Sequence, residues 1–455
     1  MIVPANRLIL LTALTTMPLA LLSIAIPSFG LPAAVASVLF LSIAVFDAAF
    51  SKKRTPGFSL EFPETVYLTR SNEGKIEFLL KRTDNSLKRL RLGLEFPHHM
   101  KVDKEDIQIN LSHDAKEFFF HWNCVAHERG THTFNQCYAE VPSSLGLWHI
   151  RSTLPAAFEA RVYPNLMGER KNIAALFLNR SNLGIHAQRQ VGQGREFEKL
   201  REYIPGDSYD QIHWKGTAKR GHPVSKIFRT ERTQEVYVIV DASRLSTRMC
   251  YEGEKSTSPG KAKKQEADSM LEHFIKSALI MGSVTQRQGD LFGLITFSDK
   301  VHGFMRAKNG SGHYTACRDL LCCLREQSVN PDFNELSTFI GLRLRRRALL
   351  IFLTSLDDPV LAENFEQNLG LLCRKHLVLV NMLRPDGIHP MFSNNRADSM
   401  DDLYSSLGGH MFWHNIMEMK RNLRSKGVRF SLLDKERMST DMVHQYMSIK
   451  QRQLL

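Results

Sequence analysis

The chain opens with two long apolar runs. Residues 8–27 carry no charged side chain, and residues 31–50 carry only Asp47. Each run is long enough to cross a hydrocarbon core of roughly 30 Å as a helix. The connector SFG allows only a tight turn, so the pattern predicts a two-helix transmembrane hairpin within residues 1–54. A cleaved signal peptide is disfavoured, because the first run is too long and a second follows it.

Basic residues flank this predicted hairpin on one side. Arg7 precedes the first run, and Lys52, Lys53 and Arg54 follow the second, whereas the connector is uncharged. Positive charge concentrates on the cytoplasmic side of membranes. We therefore expect two membrane spans, lipid contact through residues 8–50, and the bulk of the chain in the cytoplasm.

Short runs of β-branched and aromatic residues fill residues 55–166. Seven of them are separated by turn residues and read VYLTR, KIEFLLKR, RLRLGLEF, IQINL, EFFFHWNCVA, GTHTFNQCYAEV and EARVYP. Strands at this spacing predict an antiparallel β-sandwich. Trp122 and Trp148 are expected in its core or at its edge. No cluster of catalytic residue types falls here, which favours a scaffold or a protein-binding module.

A polar connector spans residues 167–234. A helix is predicted over 167–180, and the segment REYIPGDSYDQIHWKGTAKRGHPVSKIF follows at residues 201–228. Pro205 and Gly206 favour a turn. A short helix is expected from Ser208 to Arg220, ended by Gly221, with Trp214 directed onto the sheet. A strand is expected from Val224 onward.

This segment contains residue types that suit acid–base work, among them His213, Asp207, Asp210 and Lys215. No serine or cysteine sits in a recognisable nucleophile setting, so a structural role is favoured. An ion-pair network is expected between Arg201, Arg220 and Arg229 and the carboxylates of Glu202, Asp207 and Asp210. We assign structural or partner-docking roles to Arg201, Tyr203, Pro205, Gly206, Asp207, His213, Trp214, Lys215 and Arg220.

Apolar strands alternate with helices in residues 235–455. VYVIVD, DLFGLITF, ALLIFLTS, HLVLVNML and VRFSLL read as buried strands, and VHGFMRA reads as a short edge strand. The alternation predicts a doubly wound α/β domain, a mostly parallel sheet covered on both faces. Ligands of such sheets bind at the carboxyl ends of the strands, which here read DASRLS and TSLDD.

The composition of the chain limits the chemical class of its partners only in part. The formal net charge of +13 favours anionic partners. No RNA- or DNA-binding motif accompanies that charge, so no nucleic acid is expected. The seven cysteines are odd in number and match no zinc-knuckle spacing, which is typical of reduced thiols.

Several motifs together resemble the bacterial membrane-anchored domain-of-unknown-function family fifty-eight, whose C-terminal part is von Willebrand factor A-like. They read ERGTHTF, SSLGLW, ARVYPNL, GREFEKLREYIPGDSYDQIHWKGTAKRGHPVSKIF and VIVDASRLS. The resemblance implies a location in a bacterial inner membrane, and no enzymatic activity is established for the family. It implies a partnership with MoxR-type AAA+ ATPases in the assembly or maturation of other proteins.

The resemblance also implies a metal site of the form Asp-x-Ser-x-Ser, completed by a Thr and an Asp, which holds Mg²⁺ in A-type domains. Asp241 and Ser243 match it, but Leu245 replaces the second serine and Ser355 stands where the later Asp is expected. The Thr is sought in the loop 309–315. Missing oxygens weaken divalent binding. No cofactor is therefore assigned with certainty; Mg²⁺ at Asp241, Ser243 and Ser355 is the candidate, and loop-organising hydrogen bonds are the favoured alternative.

These features favour a non-enzymatic, membrane-anchored protein-binding scaffold that works with a MoxR-type ATPase. Two alternatives stay open. One is an envelope-associated hydrolase that uses the His213 region. The other is a metal-dependent adhesion-type receptor.

Overall fold

The computed structural model describes residues 1–26, 29–52, 57–82, 89–111, 115–182, 191–205, 207–229, 233–251, 267–385, 387–388, 390 and 400–452. The chain divides into two compact units, Met1–Asn165 and Leu166–Leu455. The predicted hairpin and sandwich share the first unit. The connector shares the second unit with the α/β region.

Two apolar helices begin the first unit, α1 (Asn6–Ala25) and α2 (Gly30–Lys52). Among the described residues, Gly30–Ser51 is the helix that is long and apolar enough to cross a membrane, and Asn6–Leu22 is a shorter apolar helix. Leu8 near the start of α1 and Ala44 near the end of α2 pack in one cluster with Leu147. The start of α1 therefore lies beside the end of α2.

The sandwich consists of two sheets. The first has the order β1-β10-β9-β5-β7, with β3 also paired to β10, and the second has the order β2-β4-β8-β6. The strands are β1 (Ile2–Pro4), β2 (Phe58–Glu61), β3 (Thr65–Thr69), β4 (Glu73–Arg82), β5 (Arg89–Leu94), β6 (Met100–Val102), β7 (Asp106–Asn110), β8 (Glu117–Ala126), β9 (Gly130–Pro142) and β10 (Trp148–Tyr163).

Three of these strands were not predicted, namely β1, β2 and β6. They are short, and period-two patterns need length to stand out. β1 also precedes the apolar helices, where no sheet is expected. In addition, β10 runs for 16 residues, whereas only its end, EARVYP, was predicted as a strand.

Aromatic packing fills the space between the sheets. Phe134 and Phe158 stack with ring centroids 4.6 Å apart, and Phe78 stacks on Trp122 at 4.5 Å. Trp122 is 1% exposed, which confirms its expected core position. Burial of side chains this large, at about 25 cal/mol per Å² of apolar surface, is the main force that holds the sheets together.

The second unit is built on a six-stranded sheet in the order β17-β16-β13-β18-β19-β20. Its strands are β13 (Glu235–Asp241), β16 (Leu291–Phe297), β17 (Val301–Lys308), β18 (Leu349–Leu353), β19 (Leu377–Leu383) and β20 (Arg429–Leu433). β17 lies at one edge, where its short pattern predicted an edge strand. It pairs antiparallel with β16, which was not predicted, and the other pairings are parallel.

Helices cover both faces of this sheet, because its strands are apolar on both sides. Side chains of α5 (Met270–Arg287), α6 (Ser311–Cys323) and α10 (Met438–Gln451) pack on the face that contains Val238 and Val240. Side chains of α7 (Phe333–Arg343), α8 (Pro359–Lys375) and α9 (Met400–Ser425) pack on the face that contains Tyr237 and Ile239. Strands buried on both faces are typical of parallel sheets.

The connector contributes α3 (Met167–Asn182) and an antiparallel ladder of β11 (Val191–Glu202) and β12 (Val224–Arg229). Between them the single predicted helix over Ser208–Arg220 is wrong. A 3-10 turn at Tyr209–Gln211 and a separate helix, α4 (Trp214–Arg220), replace it. Ile212 interrupts the helical pattern because it bridges to Ser225. A small unpredicted ribbon of β14 (Met249–Tyr251) and β15 (Ala267–Ser269) completes the unit.

Candidate functional site

The candidate site lies at the carboxyl ends of the parallel strands, around Asp241. β13 is central in the sheet, so its last residue, Asp241, is fully buried. One carboxylate oxygen accepts the backbone N–H of Ser243 at 2.8 Å, and the other accepts the Thr354 hydroxyl at 2.5 Å. Burial raises the pKa of Asp241, and the hydrogen bonds from Thr354 and Ser243 oppose that rise.

Ser243 organises the loop that leaves β13. Its hydroxyl oxygen accepts the backbone N–H of Leu245 at 3.4 Å and caps a 3-10 turn at Arg244–Thr247. Ser246 donates its hydroxyl to the backbone carbonyl of Ser243 at 2.7 Å. Leu245, which replaces the second serine of the metal motif, is 2% exposed and packs inward. The hydroxyl groups of Ser243 and Ser246 therefore form hydrogen bonds with the backbone of their own loop.

The threonine that bonds Asp241 is Thr354. The sequence pattern placed Thr354 at a strand end but did not assign it to the site. It was sought in the loop 309–315, and that expectation is wrong. β17 runs antiparallel to β16, so its last residue, Lys308, pairs with Phe292 near the start of β16. His313 contacts the Phe292 carbonyl at 2.8 Å at this opposite edge. The sequence TSLDD could have pointed to Thr354, because it directly follows a buried strand.

Ser355 does not join Asp241 in the hydrogen bonds that the structure describes. Its hydroxyl donates to Asp357 at 2.9 Å instead. Asp357 also forms an ion pair with Arg248, and Asp358 forms one with Arg244 at 3.1 Å. Asp358 additionally accepts the backbone N–H of Val360 and so caps α8. Both carboxylates that could complete a metal shell are thus bonded to guanidinium groups.

A strap made of residues 327–332, between α6 and α7, crosses this edge of the sheet. Gln327 donates its backbone N–H to the Ala242 carbonyl at 2.8 Å, and Arg244 donates to the Val329 carbonyl at 2.9 Å. Asp332 donates to the Ser298 carbonyl at 3.0 Å. The strap therefore ties the ends of β13 and β16 together. No motif in the sequence marked it.

The site as arranged is a poor match for Mg²⁺. Asp241, Ser243 and Thr354 supply oxygens from one carboxylate and two hydroxyls, whereas a hard cation takes about six. Both oxygens of Asp241 already accept protein hydrogen bonds. Within the described part of the chain, no group of three or more His, Cys, Asp or Glu residues is placed to hold a metal ion. The edge instead supplies its own cations, Arg244 and Arg248.

The segment of residues 201–228 forms a compact turn structure beside the β11–β12 ladder. Asp207 accepts the backbone N–H of Ile204 at 3.2 Å and pairs with Arg201 at 2.5 Å. The Ile204 N–H, followed by the Ser225 and Arg201 side chains, lowers the pKa of Asp207. Tyr203 donates its backbone N–H to the Pro223 carbonyl at 3.0 Å, and this bond extends the ladder.

His213 acts in the structure as a helix cap. Its Nδ1 accepts the backbone N–H of Gly216 at 3.0 Å, at the start of α4. A Cβ at Gly216 would lie 2.5 Å from that nitrogen, so the close approach requires glycine. Gly221 ends α4 with a φ of 73°, as its position predicted. The Nδ1 atom of the imidazole thus has a structural role as the cap of α4.

Other side chains of this segment point outward. Trp214 is 62% exposed and tilts against Tyr209 at 6.1 Å, so the expectation that it packs on the sheet is wrong. Lys215, Arg220 and Pro205 are exposed too, and Gly206 lies outside the described residues. A helix of seven residues cannot bury both faces, which is why its first residue stays in solvent.

The predicted ion-pair network is also wrong in extent. Among the described side chains of this segment, Arg201 pairs with Asp207, and His222 lies 3.8 Å from Glu202. Arg220 and Asp210 are exposed. The side chain of Arg229 lies outside the described residues. Exposed ion pairs gain little, so solvation competes successfully with the expected network.

Comparison with known proteins gives one family match. The model of the family described as "Protein of unknown function DUF58" matches residues 199–387, fewer than half of the residues of the chain. No curated protein matches the sequence. The match begins just before the segment of residues 201–228 and extends beyond the strands that bear Asp241 and Thr354.

Among solved structures, the SpRpn10 VWA domain shares 10% identity and a TM-score of 0.28, over 47% of this chain and 95% of that one. BatB from Bacteroides thetaiotaomicron shares 14% identity and a TM-score of 0.27, over 48% and 99%. An aerotolerance-related membrane protein from Bacteroides fragilis shares 13% identity and a TM-score of 0.26, over 47% and 97%. Likeness of this degree carries no argument about activity or partners. The central part of the chain, residues 199–387, is thus similar to the DUF58 family.

Proposed function

We propose that this protein is a non-enzymatic, membrane-anchored protein-binding scaffold, and that its second unit engages a MoxR-type AAA+ ATPase in protein assembly or maturation. The observation that carries the proposal is the edge around Asp241. Arg244 and Arg248, each paired with a carboxylate, are exposed at this edge, which is the usual ligand site of such sheets. The Asp241 carboxylate lies buried beneath them and is hydrogen-bonded. The ATPase as partner is supported by the resemblance of the sequence motifs alone.

The anchor in this proposal is a hairpin of two membrane spans, α1 and α2. Its support is the packing of Leu8, Ala44 and Leu147 together, since this brings the outer ends of both helices to one place. Arg7 at the start of α1 is exposed. With the basic residues after α2, it favours an inner-membrane orientation in which both units face the cytoplasm.

The second unit in this proposal has a doubly wound, von Willebrand factor A-like fold. The support is the sheet order together with helices packed on both faces. In such folds the carboxyl edge of the sheet is the usual binding face. Here that edge carries Arg244 and Arg248, with about half of each side chain exposed.

Charge pairs of this kind suit partner recognition. Arg244 and Arg248 are each about half exposed, so acidic groups of a partner can compete with Asp358 and Asp357 for the two guanidinium groups. Complementary charges at an interface mainly set specificity and the association rate. A protein that bears its own acidic and basic groups is the kind of partner that fits such an edge.

A non-enzymatic role is supported by the use of the polar groups. His213, the strongest acid–base candidate, accepts a hydrogen bond from Gly216 through Nδ1. In the described hydrogen bonds, no serine or cysteine is paired with it as a nucleophile would be. The hydrolase alternative that uses the His213 region therefore gains no support from the described hydrogen bonds of His213.

Helix α9 provides a second observation in favour of protein binding. Its first half exposes large apolar side chains at spacings of three and four residues, on a face separate from buried Ile416, Met419 and Leu423. These side chains are Met400, Leu403, Tyr404, Leu407 and Met411, each between 44% and 68% exposed. Contiguous exposed apolar surface is uncommon on proteins without partners.

The proposal is tested by capture of the MoxR-type ATPase from the same organism with the full-length chain in detergent, with ATP present. Arg244→Glu should reduce capture at least several-fold, because it breaks the pair with Asp358 and reverses the charge at position 244. Arg287→Glu is the matched control, since Arg287 is an exposed arginine at the end of α5 and should leave capture unchanged. Failure of the wild-type chain to retain the ATPase would refute the partnership.

A further inference from the structure

The turn between β9 and β10 contacts the final turns of α2. Asp47 lies in α2 and is 3% exposed, although it belongs to an otherwise apolar helix. Ser143 donates its hydroxyl to one oxygen of the Asp47 carboxylate at 2.6 Å, and Leu145 donates its backbone N–H to the other at 3.2 Å. The backbone N–H of Ser144 points to the Ser51 hydroxyl at 3.4 Å. We call residues Ser143–Trp148 the clamp loop.

The clamp loop also reaches further along α2. Trp148 donates its indole N–H to the backbone carbonyl of Ala44 at 2.9 Å. Leu147 is 7% exposed and packs with Leu8 and Ala44. On the other side, Ala5 donates its backbone N–H to the Leu147 carbonyl at 2.9 Å, and β1 pairs with the start of β10. The loop is thus held by both helices.

These contacts set the depth of the loop. A helix rises about 1.5 Å per residue, so Asp47 lies about 6 Å and Ala44 about 10 Å before Ser51 along α2. The span of Gly30–Ser51 is about 33 Å long, close to the hydrocarbon thickness of about 30 Å. If α2 crosses the membrane, its contacts with the clamp loop therefore lie at or below the level of the lipid headgroups.

The side chains of the loop suit that depth. Leu145 is 59% exposed at the tip, next to Asp47, where Phe46 and Phe50 of α2 are 70% and 55% exposed. Tryptophan favours the membrane interface, because its ring is apolar and its N–H needs a partner. The guanidinium of Arg7 lies 3.6 Å from the position that a Cβ of Gly146 would occupy, and Arg7 is exposed. An anionic headgroup fits this cation.

We propose that the clamp loop, Ser143–Trp148, is a membrane-inserted loop that seats the sandwich on a bilayer of anionic phospholipid. The inference rests on the proposed membrane anchoring and adds a second lipid contact to it. Asp47 and the loop depend on each other, because the loop satisfies a carboxylate that is costly at this depth. In return, the carboxylate orders the loop with Leu145 directed outward.

The test places a fluorophore at the tip of the loop. Leu145→Cys is labelled in the full chain, in which the accessible Cys250, Cys323 and Cys373 are replaced by serine. The chain is reconstituted into nanodiscs of phosphatidylcholine and phosphatidylglycerol, with a nitroxide on the upper acyl chain. Tyr67→Cys is the matched control. It is equally exposed, at 63%, and pairs with Arg161, about 40 Å along β10 from Trp148.

We expect the nitroxide lipid to quench the label at residue 145 several-fold more than the label at residue 67, and aqueous iodide to show the opposite order. Equal lipid quenching at both residues would overturn the proposal. A label at residue 145 that neither reagent reaches would overturn it too, since a protein surface would then cover the loop. A chain that elutes apart from the nanodiscs would instead show that the proposed anchoring is wrong.

The anionic headgroup has its own measurement. Removal of phosphatidylglycerol should lower lipid quenching at residue 145, and Arg7→Gln should abolish this dependence on lipid charge. Lys75→Gln, at an exposed lysine of β4, is the control and should keep it. If quenching in the wild-type background does not depend on lipid charge, the loop does not bind an anionic headgroup.

Discussion

The hydroxyl of Thr354 donates a hydrogen bond of 2.5 Å to Asp241, although 113 residues separate the two in the chain. The bond joins the ends of two neighbouring parallel strands, β13 and β18. Neither residue is exposed to solvent. A buried carboxylate needs such donors, because each oxygen that leaves water loses its hydration. The pair therefore holds the candidate edge together whether or not a ligand binds there.

Thr354→Val should loosen this edge. The substitution keeps the shape but removes a donor to a buried carboxylate, at a cost of about 1–3 kcal/mol. Amide hydrogen exchange in β13 and β18 should accelerate roughly tenfold to a hundredfold, at about 1.4 kcal/mol for each tenfold change. Thr354→Ser keeps the hydroxyl and should exchange at nearly the wild-type rate. Unchanged protection in the valine variant would contradict the prediction.

Asp241 should make stability depend on pH in an unusual direction. Its pKa is raised by burial, so the folded state binds this proton more tightly than the unfolded state does. Its contribution is fully present below the unfolded pKa of about 3.9 and is lost as pH rises through the folded value. The Tm of the wild type should therefore rise relative to the Tm of Asp241→Asn as pH falls.

Asp299 provides the control for that measurement. The Ser298 hydroxyl lowers the pKa of Asp299, so its contribution to stability is present at neutral pH and is lost as pH falls through the folded value. The Tm of the wild type should thus fall relative to the Tm of Asp299→Asn as pH falls. Parallel trends for the two variants would show that the proton on Asp241 is not the cause.

Calorimetric titration of the wild-type chain with Mg²⁺ should give no saturable heat, because Arg248 and Arg244 already hold Asp357 and Asp358. Ser355→Asp adds the carboxylate that the metal motif expects. That variant should bind Mg²⁺, and Asp241→Ala in the same background should remove the binding. Saturable binding by the wild type that Asp241→Ala abolishes would establish a native metal site instead.

His213 should be replaceable by another capping residue. His213→Asn keeps a side-chain acceptor at the start of α4, so stability and ATPase capture should stay near the wild-type values. His213→Ala should cost about 1 kcal/mol, and Gly216→Ala should disturb the same turn because its Cβ meets the imidazole. An asparagine variant that folds normally but loses a biological activity would point to a chemical role for the ring.

Asp47→Ala should release the clamp loop. Ser143 and Leu145 would lose a charged acceptor, and hydrogen bonds to charged groups contribute about 1.5–3 kcal/mol. Hydrogen exchange at residues 145–148 should accelerate at least tenfold in nanodiscs. Ser37→Ala is the control within the same helix, since the described hydrogen bond of the Ser37 hydroxyl is to the Ala33 carbonyl of that helix. Equal exchange in both variants would contradict the role of the clamp.

Local pattern was enough for most elements of the second unit. VYVIVD, ALLIFLTS and HLVLVNML predicted β13, β18 and β19, because continuous apolar runs bounded by polar turns have few other stable forms. The end of α4 at Gly221 and the position of β17 as an edge strand were also predicted. These features depend on neighbours in the chain, so sequence spacing contains the information.

Contacts between distant residues were decided only by the tertiary structure. The apolar runs of the sequence placed Asp241 and Thr354 at strand ends. Only the order of strands in the sheet shows that these two strands are neighbours. The strap 327–332 and the ion pairs of Arg244 and Arg248 depend on how helices return over the edge. The clamp between Asp47 and Ser143 joins the apolar helix α2 to a sandwich turn across 96 residues. The sequence by itself determined which segments are apolar, extended or helical, whereas packing decided which polar groups meet, because a buried hydrogen bond depends on proximity in space and not along the chain.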